Sequence, residues 1–383
     1  MPRAGDESDA PLGLLHRSES VEGYPVEPSD EGLAEALGLP VSAIVRFDMN
    51  TLGGGPLPGV VAAHRAFDPQ RALDYGDEAY RRLRHAIGAY VGIAPRRVIV
   101  GAGADELIRL VTRTVAGEGD RVIIPTPTFP MFDVEARLIG ARTVAIERTS
   151  PGQRQPVELI RARNDAEEAR LVWICSPNNP TADLVPLAEI EALADGLPAI
   201  VVVDEVYTEF AEAELGAAPG TLSAVGLTSR LSNVLVLRSL AKAFGLAGAR
   251  IGYLIVPEWL VDRFEVARLP LPVGAHSEAL ALGALADPDA ARERHRKVVA
   301  ERSRLELALG GLGWELLPSV ANFVLARPPD AAATAMALLQ RGLVVRTYPA
   351  GTPAAWLRIT ALDRQRDDRL LAALAEIAAS TAA

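Results

Sequence analysis

The sequence predicts an α/β chain: a large domain with a mostly parallel seven-stranded sheet between helices, plus a smaller α+β domain. Three observations carry this prediction. Seven short Val/Ile/Leu-rich runs recur between residues 97 and 256, with amphipathic helical periods between several of them, the pattern of parallel strands covered on both faces. Beyond Pro257 the character changes, and Ala- and Arg-rich helical sequence precedes three further strand candidates. The length of 383 residues, 49% hydrophobic and 23% charged, suits two cored domains rather than a disordered chain.

In chain order, a helix pattern near Asp30–Leu37 is followed by Asn50–Gly59, a loop with four glycines and two prolines, and by a helix at about Glu78–Val91. The seven strand candidates are Arg97–Val100, Arg121–Pro125, Arg142–Ile146, Leu171–Cys175, Ala199–Asp204, Val234–Arg238 and Arg250–Val256. Helical periods between them include Ala104–Val115, Met131–Ile139 and Leu187–Ala194. The stretch from Arg238 to Arg250 is too short for a helical crossover, so Arg250–Val256 is expected to run antiparallel to a neighbour or to sit elsewhere in the sheet. A helical run from about Ala275 to Leu309 then leads to strands at Asn322–Ala326, Leu343–Tyr348 and Trp356–Ala361, with helices over Ala331–Arg341 and Arg364–Ala379. The expected division is 1–60 as an N-terminal arm and part of the small domain, 61–270 as the large domain and 271–383 as the small one.

A net charge of −10 argues against nucleic acid as a partner. No run approaches the roughly 18 apolar residues of a membrane span, and Met1–Asp9 is acidic without the apolar core of a secretory signal. Cys175 is the single cysteine, and no Cys/His cluster has metal-ligand spacing. A cytoplasmic protein without a metal is therefore expected.

Of 39 basic residues, only Lys242 and Lys297 are lysines. A lysine kept against so strong an arginine bias marks a position where arginine cannot serve, because only the amine deprotonates and forms an imine. Lys297, in Arg-Glu-Arg-His-Arg-Lys, reads as a solvated helix face. Lys242 has no other charge near it from Ser239 to Ala249.

Ligands of an open parallel sheet bind at the carboxyl ends of its strands, so the residues that follow each strand are the candidates for a site. Gly101-Ala102-Gly103-Ala104-Asp105-Glu106 opens a helix whose first N–H groups, at Ala104 and Asp105, are free for an anion such as phosphate. Phe129 follows the next strand and can stack on a flat ring. Ser176-Pro177-Asn178-Asn179-Pro180-Thr181 is a stiff loop in which Asn179 can donate to a ligand oxygen. Asp204 ends an apolar run, where a carboxylate needs a partner. A protonated heterocyclic nitrogen would serve, with Tyr207 donating to an oxygen of the same ring. Ser239 and Arg250 can close the phosphate site. Each feature alone has a bland reading: a glycine turn, a packed loop Phe, an Asx turn, an Asp salt-bridged to Arg. Together they match pyridoxal 5′-phosphate, whose aldehyde, ring nitrogen, phenolic oxygen, ring face and phosphate each find a counterpart.

On these residues the chain resembles the fold-type I pyridoxal-phosphate aminotransferases of class I/II, and within them the histidinol-phosphate aminotransferases. The likeness runs from about Ser20 to Ala375. It is most specific over Gly103–Glu106, Ser176–Thr181, Asp204–Tyr207 and Ser239–Gly252. The resemblance implies that Lys242 holds the cofactor through its amine and that Asp204 pairs with the ring nitrogen. It gives Asn179 and Tyr207 the phenolic oxygen, Phe129 the ring face, and Ala104, Asp105, Ser239 and Arg250 the phosphate. It also implies that Tyr75 reaches the phosphate of a partner subunit, hence a homodimer with shared sites. Arg346 and Arg358 match the substrate-anion arginines, Asn50 and Tyr24 lie on the substrate side, and Lys242, Asp204 and Tyr207 form the catalytic group.

Three departures from the family pattern stand out. Asp48-Met49-Asn50-Thr51-Leu52-Gly53-Gly54-Gly55-Pro56 replaces Asn-Glu-Asn-Pro, so that only Asn50 carries over. Ala241 replaces a Ser or Thr, and Ala182 replaces a Gly. The implied reaction is amino transfer between L-histidinol phosphate and 2-oxoglutarate, in histidine biosynthesis. The alternatives are an aromatic or other amino-acid aminotransferase and a phospho-amino-acid decarboxylase on the same fold.

Overall fold

The computed structural model describes residues 21, 23, 28–148, 152, 154–348 and 356–382. The expected lid residue Tyr24 lies outside them. Among the described residues the strands are β1 (Val45–Arg46), β2 (Val98–Gly101), β3 (Arg121–Thr126), β4 (Arg142–Glu147), β5 (Leu171–Cys175), β6 (Ile200–Asp204) and β7 (Val234–Ser239). They continue with β8 (Gly252–Ile255), β9 (Glu315–Leu316), β10 (Phe323–Arg327), β11 (Leu343–Val344), β12 (Arg346–Thr347) and β13 (Leu357–Thr360). The α-helices are α1 (Asp30–Leu37), α2 (Pro58–Arg65), α3 (Arg81–Val91), α4 (Ala104–Val115), α5 (Met131–Leu138), α6 (Val157–Glu167) and α7 (Leu187–Ala194). They continue with α8 (Thr208–Leu215), α9 (Leu240–Ala243), α10 (Val261–Ala267), α11 (Ala275–Leu285), α12 (Pro288–Gly311), α13 (Ala331–Leu339) and α14 (Arg364–Ala382).

Seven strands form one sheet in the order β2-β8-β7-β6-β5-β3-β4. Every pairing among β7, β6, β5, β3 and β4 is parallel, whereas β8 runs antiparallel to both β2 and β7. The short return from β7 thus has the antiparallel outcome expected for a connection with no crossover helix. Val201–Val203 and Val234–Leu237 are fully buried, as strands covered on both faces must be. Each such side chain withdrawn from water contributes about 1.5–3 kcal/mol.

A four-stranded antiparallel sheet, β12-β13-β10-β9, forms the smaller layer, and β1 pairs in parallel with β11. The single strand expected over Leu343–Tyr348 is two short ones, because β11 pairs with β1 and β12 with β13. The helical run expected from Ala275 to Leu309 is also two elements. It breaks at Asp287-Pro288, where the Asp287 side chain accepts from Ala290 N and Pro288 opens α12. The core of the large sheet takes in Leu57 and Val60, and also Val273, Ala281, Ala284, Leu285 and Ala291. It therefore extends beyond residues 61–270 at both ends.

Candidate active site

The carboxyl ends of β2, β3, β5, β6 and β7 converge on one cavity of about 420 Å³, within the ~300–1,000 Å³ range of small-molecule sites. Asp48, Asn50, Ala104, Asp105, Phe129, Asn179, Asp204, Tyr207, Ser239, Lys242, Arg250 and Arg358 all line it. Met49, Met131, Cys175, Val206, Ala241 and Ala247 complete the lining. Arg346 and Tyr75 do not line the cavity of their own chain. Arg346 is the register partner of Arg358 on the neighbouring strand, while Tyr75 is 92% exposed.

Two consecutive carboxylates at the end of β6 have opposite surroundings. Glu205 turns away from the cavity, lies 3.2 Å from Arg238 Nε and accepts from Ser223 Oγ. Asp204 is buried, accepts from Val206 N at 3.1 Å, and pairs with no cation among the described residues. Burial pushes its carboxyl up to about 7. This orphaned carboxylate is the observation that fits a cationic ring nitrogen, and the alternative of an arginine salt bridge at Asp204 is not realised.

Lys242 lies on α9, one residue from the fully buried Ala243, and its Nζ donates to Met49 O at 2.8 Å. Burial, with the Arg358 and Arg250 guanidiniums nearby, lowers its amine to about 8, against the opposing pull of Asp105. Tyr207 Oη accepts from Asn50 Nδ2 at 2.9 Å, and burial raises its phenol well above the ordinary value. Asn50 is itself fixed by Thr360, whose Oγ1 accepts from Asn50 N at 3.0 Å and donates to Phe47 O at 2.6 Å.

The loop carrying Asn179 is stiffened by its neighbour. Asn178 donates to Pro127 O and Thr181 Oγ1 and accepts from Thr128 Oγ1. Ala182, which replaces a family glycine, sits at φ +58° and is buried, so its methyl group is accommodated at some backbone cost.

At the phosphate end, Gly103 adopts φ +88°, and a Cβ there would lie 2.7 Å from Arg250 Nη2. A Cβ on Gly252 would lie 2.7 Å from the Gly103 carbonyl carbon. Glycine at both positions lets β8 and Arg250 close on the start of α4. Arg250 itself sits at φ +53° and pairs with Asp105 at 2.7 Å. Asn50, at φ +52°, is a second non-glycine residue of the cavity in left-handed backbone, a conformation that costs about 1–3 kcal/mol and concentrates at functional sites. Ser239 caps α9 by accepting from Ala241 N. Phe129 meets Phe132 edge-on at 5.9 Å, and Phe132 stacks on Trp173 at 4.4 Å.

Arg358 donates to Asn179 Oδ1 at 2.5 Å and to Asp48 O, while its buried Nε has no hydrogen-bond partner among the described residues. Its guanidinium is thus oriented on the cavity wall, where the Nη hydrogens not used in these bonds can meet an anion. No group of three His, Cys, Asp or Glu residues suited to a metal occurs among the described residues, and no helix among them is long and apolar enough to cross a membrane.

The sequence pattern of the family "aminotransferase class I and II" matches residues 42–374. The chain belongs to that family. Among similar aminotransferases, the histidinol-phosphate aminotransferase of Roseiflexus castenholzii is 38% identical over 357 residues, covering 91% of this chain and 93% of the relative. That of Xanthomonas euvesicatoria is 39% identical, covering 78% and 83%. The crystal structure of histidinol-phosphate aminotransferase from Sinorhizobium meliloti in complex with pyridoxal-5′-phosphate is similar over 99% of both chains, with a TM-score of 0.84 and 27% identity.

The aminotransferase cavity also uses groups that the sequence did not single out. Cys175 is the last residue of β5, and the strand-end rule reaches it. Met49 contributes its carbonyl oxygen, which no side-chain pattern reveals.

Proposed function

We propose that this aminotransferase moves the amino group of L-histidinol phosphate to 2-oxoglutarate, with pyridoxal 5′-phosphate held by Lys242. The observation that carries the cofactor reading is the buried Asp204, without a cation among the described residues, in the same cavity as the half-buried Lys242. The substrate reading is supported by the relatives of that name, 38–39% identical over most of both chains.

When bound, pyridoxal phosphate supplies the electron sink that amino transfer needs. Asp204 keeps a proton on the ring nitrogen. Tyr207 and Asn179, with Asn50 behind Tyr207, would hold the cofactor's phenolic oxygen, and Phe129 would face its ring. The backbone N–H groups of Ala104 and Asp105, with Ser239 and Arg250, bind the phosphate. Tyr75 of a second copy adds to that phosphate site, which makes the working unit a cytoplasmic homodimer. Lys242, which would hold the cofactor, is also the amine placed to act as base and then acid for the substrate's α-proton. Arg358, with Arg346 beside it in register, takes the substrate phosphate or the carboxylate of the second substrate.

Steady-state turnover of histidinol phosphate, with 2-oxoglutarate as acceptor and phenylalanine as competitor donor, tests the reading. A preference for histidinol phosphate is expected. A preference for phenylalanine, or carbon dioxide release without need of a 2-oxo acid, would overturn it.

A further inference from the structure

Asp48–Asn50, the start of the segment where the chain departs from the family pattern, form one wall of the cavity, and the glycine turn Gly53–Gly55 follows them. On the cavity side the wall meets three residues of the site. Arg358 donates to Asp48 O, Lys242 Nζ to Met49 O at 2.8 Å, and Asn50 Nδ2 to Tyr207 Oη at 2.9 Å. From behind, Arg294 of α12 reaches the same segment. Its half-buried guanidinium donates through Nη1 to Gly53 O at 2.7 Å and to Gly55 O at 2.9 Å. The glycines permit this approach. Gly54 sits at φ +85°, and a Cβ on it would lie 2.5 Å from Arg294 Nη1. A Cβ on Gly53 would lie 2.0 Å from Leu362 O, a backbone atom that cannot swing aside. The adjacent residue of α12, His295, donates from Nε2 to Ala243 O at 2.7 Å, next to Lys242 in the chain. One helix therefore holds the segments on both sides of the Lys242–Met49 contact.

We propose that Arg294 is a positioning residue for amino transfer. By gripping the Gly53–Gly55 turn it fixes the Asp48–Asn50 wall, and through Asp48 O it sets the guanidinium of Arg358 against which the substrate anion seats. The inference rests on the reading of Arg358 as the substrate-anion arginine. Hydrogen bonds from a charged donor are stronger than neutral ones, enough to select one placement of a glycine-rich turn that has many. A lysine at 294 keeps the charge but loses the planar fork, and recovers only part of the grip.

The test uses holoenzyme and measures steady-state turnover of histidinol phosphate with 2-oxoglutarate, and separately of glutamate with another 2-oxo acid as acceptor. Arg294→Ala and Gly54→Ala attack the contact from opposite sides. Both are expected to raise KM for each amine about tenfold with kcat within about threefold, while borohydride fixes as much cofactor on Lys242 as in wild type. Arg294→Lys is expected to fall between. Lys297→Ala, which lines the cleft behind the turn, is expected to leave KM unchanged.

Wild-type KM in both Arg294→Ala and Gly54→Ala overturns the proposal, as does an equal rise in Lys297→Ala. If Arg294→Ala fails to fold, wild-type KM in Gly54→Ala and Arg294→Lys overturns it in the same way. A wild-type enzyme inert to histidinol phosphate but active with glutamate defeats the substrate reading alone, and the glutamate measurements then decide on Arg294.

Discussion

Lys242 Nζ lies 2.8 Å from the carbonyl oxygen of Met49, so the half-buried amine of the cavity is aimed across it by a backbone group. Its carbonyl acceptor favours the ammonium, yet burial wins and holds the amine down near 8. In cofactor-free protein, the rate of cofactor capture by this amine should rise with pH with a midpoint near 8, because only the neutral amine adds to an aldehyde. Stopped-flow absorbance checks this. A pH-independent rate between about 6.5 and 9.5 would reject it.

Lys242→Ala should abolish turnover and remove the borohydride-stable adduct. The thermal midpoint of the cofactor-free variant should not fall, since a desolvated amine is lost. Mass spectrometry of peptides locates the adduct, and its recovery on Lys297 would contradict the assignment.

Asp204 links the site to stability. Its folded carboxyl, near 7, lies above the ordinary 3.8 of an unfolded chain. The native cofactor-free protein therefore holds a proton that the unfolded chain has released. From this group, stability is greatest below about pH 4 and falls as pH rises towards 7, by on the order of 4 kcal/mol. Asp204→Asn should raise the melting temperature of cofactor-free protein, more near pH 8 than near pH 5.5, and lower kcat of the holoenzyme by about a hundredfold or more. An equal change at both pH values would exclude this account.

Arg238 is buried between Glu205 and Glu209, at 3.2 and 3.8 Å, and joins the ends of β6 and β7 from the side opposite the cavity. Arg238→Met leaves both carboxylates without their cation and should cost about 3–5 kcal/mol in urea unfolding. Removing the exposed Lys297 should change stability by less than about 0.5 kcal/mol.

The exposed Tyr75 gives a dimer test. Tyr75→Phe and Lys242→Ala chains are each expected to be impaired alone. Mixed dimers should regain activity, because one of their two sites combines an intact Lys242 with an intact Tyr75. No recovery on mixing would exclude a shared site.

Much of this was legible in the residues because strands covered on both faces need long apolar runs, and a polar residue ending such a run must face something. Asp204 and Ser239 stood out on that ground, Lys242 because arginine so outnumbers lysine, and the short β7–β8 connection implied the antiparallel strand. Other features carry no such signal. The Met49 carbonyl looks like any other peptide group. The division of labour between Asp204 and Glu205 depends on which face of β6 each side chain takes at its end. The break at Asp287-Pro288 was masked by the helix-forming sequence on both sides. Arg346 matched a pattern, yet its register beside Arg358 became visible only when β12 paired with β13.

The consecutive grips of Arg294 and His295 have a mechanical consequence. Because neighbouring positions of a single rigid rod hold the glycine turn and the strand-end lysine segment, a tilt of that rod displaces the two jaws in one stroke.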